Sequence, residues 1–227
     1  MPFPDLAERL SEVRERIDAA AIRGGHGQAV RVVAVTKGHG PEAVAAAWHA
    51  GLEDIGENRV QEALQKMANV TAPIRWHLIG HVQRNKIKWL HHFQLVHSLD
   101  SARLADAVDA YGASRGRPMD VLVQVNVAGE ETKGGYAPSD MEREAERLAG
   151  LRGIRVLGVM TMAPFDAGER TLRAVFAGAR GAREQLAAAG HGATELSMGM
   201  SNDFEVAVEE GATLVRLGTV LFGARTA

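Results

Sequence analysis

A lysine directly after the first predicted strand is the sharpest chemical feature of this sequence. Lys37 follows residues 31–36 (Arg-Val-Val-Ala-Val-Thr), a β-branched run typical of a buried strand. An amine at the end of a buried strand is costly to keep charged, and a neutral amine can attack an aldehyde. The same position is also typical of a lysine whose ammonium extends to solvent. Lys37 is therefore a candidate for a Schiff base with a carbonyl ligand, with the solvated lysine as the alternative.

Two turns rich in small residues predict a phosphate site near the C-terminus. Residues 197–203 (Ser-Met-Gly-Met-Ser-Asn-Asp) connect a predicted strand to a predicted helix, and residues 216–219 (Arg-Leu-Gly-Thr) follow the last predicted strand. Small residues let the backbone approach an anion, and helix-start N–H groups and the Ser201 hydroxyl can bind a phosphate. Ordinary strand-to-helix turns have the same composition. A phosphate site combined with an amine nucleophile indicates a phosphorylated aldehyde, and pyridoxal 5′-phosphate is the leading candidate.

The elements that must position these residues follow a regular α/β rhythm. Apolar residues at helical spacing predict a helix over 5–23, after which short apolar strands alternate with helices eight times. The predicted strands cover residues 30–35, 52–55, 74–79, 93–97, 120–127, 154–160, 195–198 and 214–217. Alternating strands and helices indicate parallel strands, and eight units favour a closed (β/α)8 TIM barrel with an extra N-terminal helix over an open doubly wound sheet. Ligands of such barrels bind at the carboxyl ends of the strands.

Composition limits the remaining possibilities. The 227 residues are 46% hydrophobic and 24% charged, which supplies a core, and nothing marks a boundary, so we expect one domain over 1–227. A net charge of −2 argues against nucleic acid as a partner. The sequence has no cysteine, which excludes thiolate zinc sites and cysteine nucleophiles. His77 and His81 straddle a strand end, so we expect no metal site. Without a signal sequence or a long apolar run, we expect a cytoplasmic protein that does not enter a membrane.

An ordered series of motifs along almost the whole chain carries a family resemblance. The motifs are residues 35–37 (Val-Thr-Lys), 56–62 (Gly-Glu-Asn-Arg-Val-Gln-Glu), 76–86 (Trp-His-Leu-Ile-Gly-His-Val-Gln-Arg-Asn-Lys), 97–100 (His-Ser-Leu-Asp), 124–126 (Gln-Val-Asn), 133–135 (Lys-Gly-Gly), 158–160 (Gly-Val-Met), 196–203, 215–219 and 222–225 (Phe-Gly-Ala-Arg). Each motif is weak alone, but the ordered set closely resembles the pyridoxal phosphate homeostasis protein family, also called the proline synthase co-transcribed homologue. The resemblance implies a single barrel of the alanine-racemase N-terminal type that carries pyridoxal phosphate.

The resemblance also implies roles for individual residues. Lys37 matches the lysine that forms the Schiff base, and Arg216 matches the arginine that faces the pyridine nitrogen. Several members carry a second lysine where this chain has His39, which is a departure from the pattern. Lys133 matches a further lysine of some members, near the site or involved in cofactor transfer. The phosphate-binding positions are Ser201, Gly218 and Thr219, and the positions around the cofactor are Asn58, His77, Ser98, Met160 and Met200.

The resemblance and the chemistry of Arg216 together predict a cofactor carrier. An arginine cannot accept the proton of a pyridinium, so the ring becomes a poor electron sink. Racemases of this type bring a tyrosine from a second domain, whereas this chain has only Tyr111 and Tyr136 and we expect no second domain. We expect a monomer of the intracellular vitamin B6 homeostasis system that supplies cofactor, with apo-enzymes as candidate partners. The alternatives are a small pyridoxal-phosphate-dependent amino-acid racemase and an unrelated barrel enzyme that uses Lys37 without a cofactor.

Overall fold

A computed structural model describes residues 2–130 and 133–223 of the chain. Within these ranges eight strands, all parallel, form a closed barrel in which each strand pairs with the next along the chain. Pairing of the first strand with the last, from Arg31↔Leu214 to Ala34↔Leu217, closes the barrel. The predicted TIM barrel is thereby confirmed. The strands are β1 (Arg31–Val35), β2 (Asp54–Glu57), β3 (Arg75–Leu78), β4 (Leu95–Leu99), β5 (Met119–Gln124), β6 (Ile154–Met160), β7 (Glu195–Ser197) and β8 (Leu214–Leu217).

Helices connect the strands on the outside of the barrel. The extra N-terminal helix α1 (Leu6–Gly24) buries one apolar face, and Gly25 ends it with a left-handed φ of 69°. The helix that connects β3 to β4, Arg84–His92, is a 3₁₀ helix. A short 3₁₀ turn, Pro138–Asp140, precedes α5. The other helices are α2 (Pro41–His49), α3 (Val60–Met67), α4 (Ala102–Ser114), α5 (Met141–Ala149), α6 (Glu169–Ala188), α7 (Phe204–Glu209) and α8 (Thr219–Phe222).

Alternation along the strands separates two buried regions. Side chains that point outward pack beneath the helices and form the main apolar core. Side chains that point inward fill the barrel, where a small apolar cluster is formed by Val33, Leu95, Leu122, Met160 and Leu214. The rest of the barrel interior is polar, which is unusual for parallel strands that are buried on both faces.

The bounds of two strands differ from the predicted ones, and one motif is only partly described. Strand β4 begins two residues later than predicted, and β5 ends at Gln124 rather than at residue 127. The closing motif at residues 222–225 is described only through Gly223, so Ala224 and Arg225 lie outside the described residues. In the described part of the chain, we find no helix that is both long and apolar enough to cross a membrane.

Candidate functional site

A cavity of about 770 Å³ opens at the carboxyl ends of the strands. Residues at the end of every strand, or in the loop that follows it, line this cavity, as the barrel architecture predicts. The barrel therefore brings together residues from distant parts of the sequence. Seven of the ten predicted site residues line the cavity: Lys37, Asn58, Met200, Ser201, Arg216, Gly218 and Thr219.

The other three predicted site residues, His77, Ser98 and Met160, do not line the cavity in the described structure. His77 points into the barrel below it, where its Nε2 lies 2.8 Å from Asp54 Oδ1. Met160 belongs to the apolar cluster inside the barrel. The Ser98 hydroxyl donates to the carbonyl of Gly80 at 2.7 Å and so ties the end of β4 to the loop after β3. His77 and Met160 face the barrel interior but lie below the cavity, and Ser98 lies beside it.

The turn that carries Lys37 rests on a group of buried charges, here called the Lys66 cluster (Thr36, Glu57, Glu62 and Lys66). Lys66 Nζ donates to the Thr36 carbonyl at 2.7 Å, to Glu57 Oε1 at 2.6 Å and to Glu62 Oε1 at 3.1 Å. Glu62 Oε1 also accepts from the Gly38 amide at 2.7 Å, and the Thr36 hydroxyl donates to Glu57. The backbone groups on both sides of Lys37 are thus fixed by one buried ammonium and its carboxylates.

Electrostatics within the Lys66 cluster differ between its two carboxylates. Burial raises the pKa of Glu57, although hydrogen bonds from Lys66 and Thr36 oppose this effect. Its second oxygen, Oε2, is buried and has no hydrogen-bond partner among the described residues. Burial also acts to raise the pKa of Glu62, but hydrogen bonds from the Gly38 amide and Lys66 outweigh it and lower the pKa. Lys66 is therefore the group that holds this arrangement together, since each carboxylate depends on it.

Arg216 is a buried cation at the base of the cavity. Its Nη1 donates to Ser197 Oγ at 2.7 Å and its Nη2 donates to the Thr161 carbonyl at 2.9 Å. Burial lowers the pKa of Arg216 to about 10, while the nearby charge of Asp203 opposes this effect, so the guanidinium stays charged at pH 7. Among the described residues, no carboxylate lies within ion-pair distance of it. Its charge is therefore available to an electron-rich group that enters the cavity.

The two turns predicted to bind phosphate lie together on the opposite side of the mouth from the loops after β3 and β4. Ser201 Oγ accepts from the Val220 amide at 3.3 Å, which joins the turn after β7 to the turn after β8. Asp203 does not cap α7 with its side chain; its Oδ1 accepts from the Met200 amide at 2.5 Å and closes the turn. Gly199, at φ +91°, is required there because a Cβ would lie 2.9 Å from Phe204 Cα.

Several cavity residues were missed by the sequence analysis. His81 Nδ1 lies 2.7 Å from Asp100 Oδ2, and this exposed imidazole and its carboxylate both line the cavity. Phe165 forms an exposed apolar part of the rim. Lys133, by contrast, was expected near the site from the family resemblance; it lines the cavity and donates to Glu130 Oε1 at 2.7 Å. His81 and Asp100 follow β3 and β4 closely, so their position after a strand was the signal that could have found them.

His39 and the two tyrosines lie away from the cavity in the described structure. The His39 ring packs beside Phe3 and Phe222, with ring centroids 5.4 and 5.6 Å away. The Tyr111 hydroxyl donates to the Lys88 carbonyl at 2.8 Å on the outside of the barrel, and Tyr136 is buried after β5. Neither tyrosine is placed to act on a ligand in the cavity.

Comparisons with known proteins show the same fold and identify the family of the chain. A family model described as the alanine racemase N-terminal domain matches residues 9–226. The pyridoxal phosphate homeostasis protein of Aquifex aeolicus is 43% identical over 225 residues, which cover 97% of this chain and 99% of that protein. The Escherichia coli pyridoxal phosphate homeostasis protein is 33% identical, with 97% of each chain covered.

Solved structures agree with these sequence comparisons. PipY of Synechococcus elongatus, crystallised with PLP bound, superposes with a TM-score of 0.84 at 37% identity and covers 96% of this chain and 100% of its own. An alanine racemase of Clostridium difficile shares the fold, with a TM-score of 0.78 at 16% identity; this chain corresponds to 58% of it. The chain therefore belongs to the pyridoxal phosphate homeostasis protein family and has the fold of the alanine racemase N-terminal domain.

Proposed function

We propose that this protein binds pyridoxal 5′-phosphate in the barrel cavity, as a Schiff base on Lys37, and acts as a monomeric single-domain carrier in intracellular vitamin B6 homeostasis. The observation that carries the proposal is that one cavity is lined by an amine, a buried guanidinium and two small-residue turns. The solved PLP complex of PipY, which is 37% identical, supports the same ligand.

The residues of the cavity fit the chemical groups of this ligand. Pyridoxal phosphate supplies an aldehyde that condenses with a primary amine, together with a phosphate and a ring nitrogen. Lys37 would provide the amine, and Arg216 would donate to the ring nitrogen. Ser201, Gly218 and Thr219 would hold the phosphate, because their small side chains leave the backbone accessible to an anion. Asn58 and Met200 complete the lining around the ring.

Two features support a carrier rather than an enzyme. A guanidinium only donates hydrogen bonds, so Arg216 would favour a ring nitrogen without a proton, and the ring would then withdraw electrons weakly. Tyr111 and Tyr136 lie away from the described cavity, so neither supplies the proton-transferring phenol on which racemases of this fold depend. A carrier needs neither property, since it has only to hold and release the aldehyde.

The pair His81–Asp100 favours a second candidate, a small amino-acid racemase. An imidazole oriented by a carboxylate is a typical general base, and this pair lines the same cavity as Lys37. Incubating the PLP-saturated protein with L-alanine and measuring D-alanine separates the two functions. The carrier proposal expects no interconversion at enzymatic rates; rapid interconversion that is lost in His81→Asn would establish the racemase instead.

The carrier proposal is tested by paired lysine substitutions. Full-length wild type, Lys37→Ala and Lys133→Ala are incubated with PLP, and the absorption band of the lysine adduct is recorded. Lys133 is the matched control because it lines the same cavity. We expect the band in the wild type and in Lys133→Ala, and its loss in Lys37→Ala. A band that persists in Lys37→Ala would assign the adduct to another amine.

A further inference from the structure

A line of buried polar groups crosses the barrel interior and ends at Arg216. This line, here called the histidine chain, consists of Asp54, His77, His97 and Ser197, contributed by β2, β3, β4 and β7. His77 Nε2 lies 2.8 Å from Asp54 Oδ1, His77 Nδ1 lies 2.8 Å from His97 Nε2, and His97 Nδ1 lies 2.8 Å from Ser197 Oγ. All four are nearly inaccessible to solvent, and buried polar groups are costly unless each has a hydrogen-bond partner.

The partners determine where each hydrogen in the chain lies. Arg216 can only donate, so Ser197 Oγ accepts from it, and the serine hydroxyl is left to donate to His97 Nδ1. Complete burial is the main cause that lowers the pKa of His97 well below its ordinary value, so this imidazole is neutral, and because its Nδ1 accepts from Ser197 its hydrogen lies on Nε2. That hydrogen is donated to His77 Nδ1, which leaves the hydrogen of His77 on Nε2. Every hydrogen bond therefore points from Arg216 towards Asp54.

The far end of the chain is an ion pair at the amino-terminal end of the barrel. Asp54 accepts from Arg75 Nε at 2.9 Å and from Arg75 Nη2 at 2.7 Å, while the Arg75 side chain is partly exposed. Burial acts to raise the pKa of Asp54, but hydrogen bonds from Arg75 and His77 outweigh it and keep the pKa below its ordinary range. The chain thus begins at a fixed carboxylate on one side of the barrel and ends beneath the cavity on the other.

We propose that the histidine chain positions Arg216, and that Asp54 acts on the cavity through His77, His97 and Ser197 although it does not reach the cavity itself. A neutral imidazole accepts at one nitrogen while it donates at the other, so a change at Asp54 that alters its hydrogen bond to His77 is passed to each following link. The hydrogen positions follow from the structure alone. The identity of the ligand that Arg216 contacts rests on the proposed function.

The first test uses the protein without any ligand. Nitrogen-15 NMR of full-length protein labelled in its histidines distinguishes protonated from unprotonated ring nitrogens. We expect His77 and His97 to carry hydrogen on Nε2 and none on Nδ1. Hydrogen on Nδ1 of His97 would overturn the assigned direction. In a second sample, labelled in its arginines, the guanidinium signals of Arg216, identified by their loss in Arg216→Gln, should shift in Asp54→Asn.

A matched control distinguishes an effect passed along the histidine chain from a general loss of structure. Asp120→Asn removes the carboxylate of another cross-strand pair, with Arg155 at 2.7 Å, which has no link to the histidine chain. The Arg216 signals should be unchanged in Asp120→Asn. Equal shifts in Asp54→Asn and Asp120→Asn, or no shift in either, would refute transmission whether or not the protein binds PLP.

The second test is a double-mutant cycle on PLP affinity. Loss of one hydrogen bond to a charged group corresponds to about a tenfold weaker Kd, which we expect for both Asp54→Asn and Ser197→Ala. The double variant should be no weaker than Ser197→Ala alone, because one break already interrupts the chain. If Asp54→Asn weakens PLP affinity equally in the wild type and in Ser197→Ala, Asp54 does not act through Ser197. If the wild type binds no PLP, the proposed function fails, and the NMR test still decides the positioning proposal.

Discussion

Two groups of side chains support the cavity, the Lys66 cluster and the histidine chain, and they differ in charge. The Lys66 cluster lies outside the barrel wall, between β1, β2 and α3, and fixes the Lys37 turn with a buried ammonium and two carboxylates. The histidine chain lies inside the barrel and reaches Arg216 through neutral groups, with its carboxylate kept at the far end. One support is local and ionic, and the other crosses the molecule and is neutral where it meets the site.

The difference in charge follows from the group that each support fixes, the backbone around Lys37 in one case and the Arg216 side chain in the other. The Lys66 cluster acts on the backbone around Lys37, so its ammonium and two carboxylates interact with one another rather than with the ligand. A carboxylate against Arg216 would neutralise the cation that the cavity offers to an electron-rich group. Ser197 and the Thr161 carbonyl instead satisfy the hydrogen-bond donors of Arg216 and leave its charge uncompensated. The same cavity therefore needs an ionic support on one side and a neutral support on the other.

The largest expected effect is on the ionic support. Lys66→Met removes the buried ammonium and leaves Glu57 as an uncompensated buried charge, which should lower the free energy of unfolding by about 3–5 kcal/mol. Urea denaturation measures this loss, and Lys86→Met on the 3₁₀ helix is the matched control, expected to change stability by less than about 0.5 kcal/mol. Similar losses in the two variants would mean that Lys66 does not hold its carboxylates.

The next effect concerns the cation that the neutral support presents. Arg216→Gln keeps a hydrogen-bond donor for Ser197 but removes the charge. We expect PLP affinity to weaken by about 1.5–3 kcal/mol, which is about 10- to 100-fold in Kd. Fluorescence or absorbance titration with PLP measures it. An unchanged Kd would show that the charge of Arg216 does not face the ligand.

The stability contributed by the histidine chain should depend on pH through His97. Because the pKa of His97 is lowered in the folded state, the unfolded chain binds more protons below about pH 6.5. Stability should therefore fall as the pH decreases from 6.5 towards the folded pKa, with His97 contributing up to about 1.4 kcal/mol per pH unit. Unfolding free energies measured at several pH values should lose this contribution in His97→Gln.

The exposed His49 provides the control for this pH dependence. The slope attributed to His97 should survive in His49→Gln, since that side chain lies on the surface of α2. A slope that is the same in the wild type and in His97→Gln would show that His97 is protonated equally in the folded and unfolded states.

The smallest expected effect is the loss of one hydroxyl hydrogen bond from the Lys66 cluster. Thr36→Val removes the hydroxyl that donates to Glu57 and keeps the side-chain shape, so stability should fall by about 1 kcal/mol. Thr71→Val at an exposed position is the control and should have almost no effect on the urea midpoint. An equal loss in both variants would point to a general effect of replacing a hydroxyl with a methyl group rather than to the hydrogen bond.

The sequence predicted the fold well because the fold depends on a pattern that repeats eight times. Each strand is a short apolar run, and the polar residue that follows it, such as Lys37 after β1 or Asn58 after β2, lies at the cavity. The roles assigned to these residues stay predictions. Strand spacing alone does not determine depth, which is why Met160 and His77 were expected around the ligand but lie beneath the cavity.

The supports were not predicted, for two physical reasons. Lys66 looks like any charged residue of an amphipathic helix, and its burial depends on contacts with residues 36 and 57 that only the folded barrel creates. The histidine chain leaves a fainter signal. His77, His97 and Arg216 each interrupt an apolar strand, and such interruptions in a parallel sheet indicate an inward-facing polar group. Their partners across the barrel come from distant strands and cannot be read from spacing.

The most direct measurement asks whether Lys37 forms the proposed covalent bond to pyridoxal phosphate. Full-length protein incubated with PLP is reduced with borohydride, digested and mapped by peptide mass, so that the modified residue is identified directly. We expect one phosphopyridoxyl group on the peptide that contains Lys37, with none on the peptide that contains Lys133. Modification confined to any other lysine, or an unmodified Lys37 in protein saturated with PLP, would contradict it.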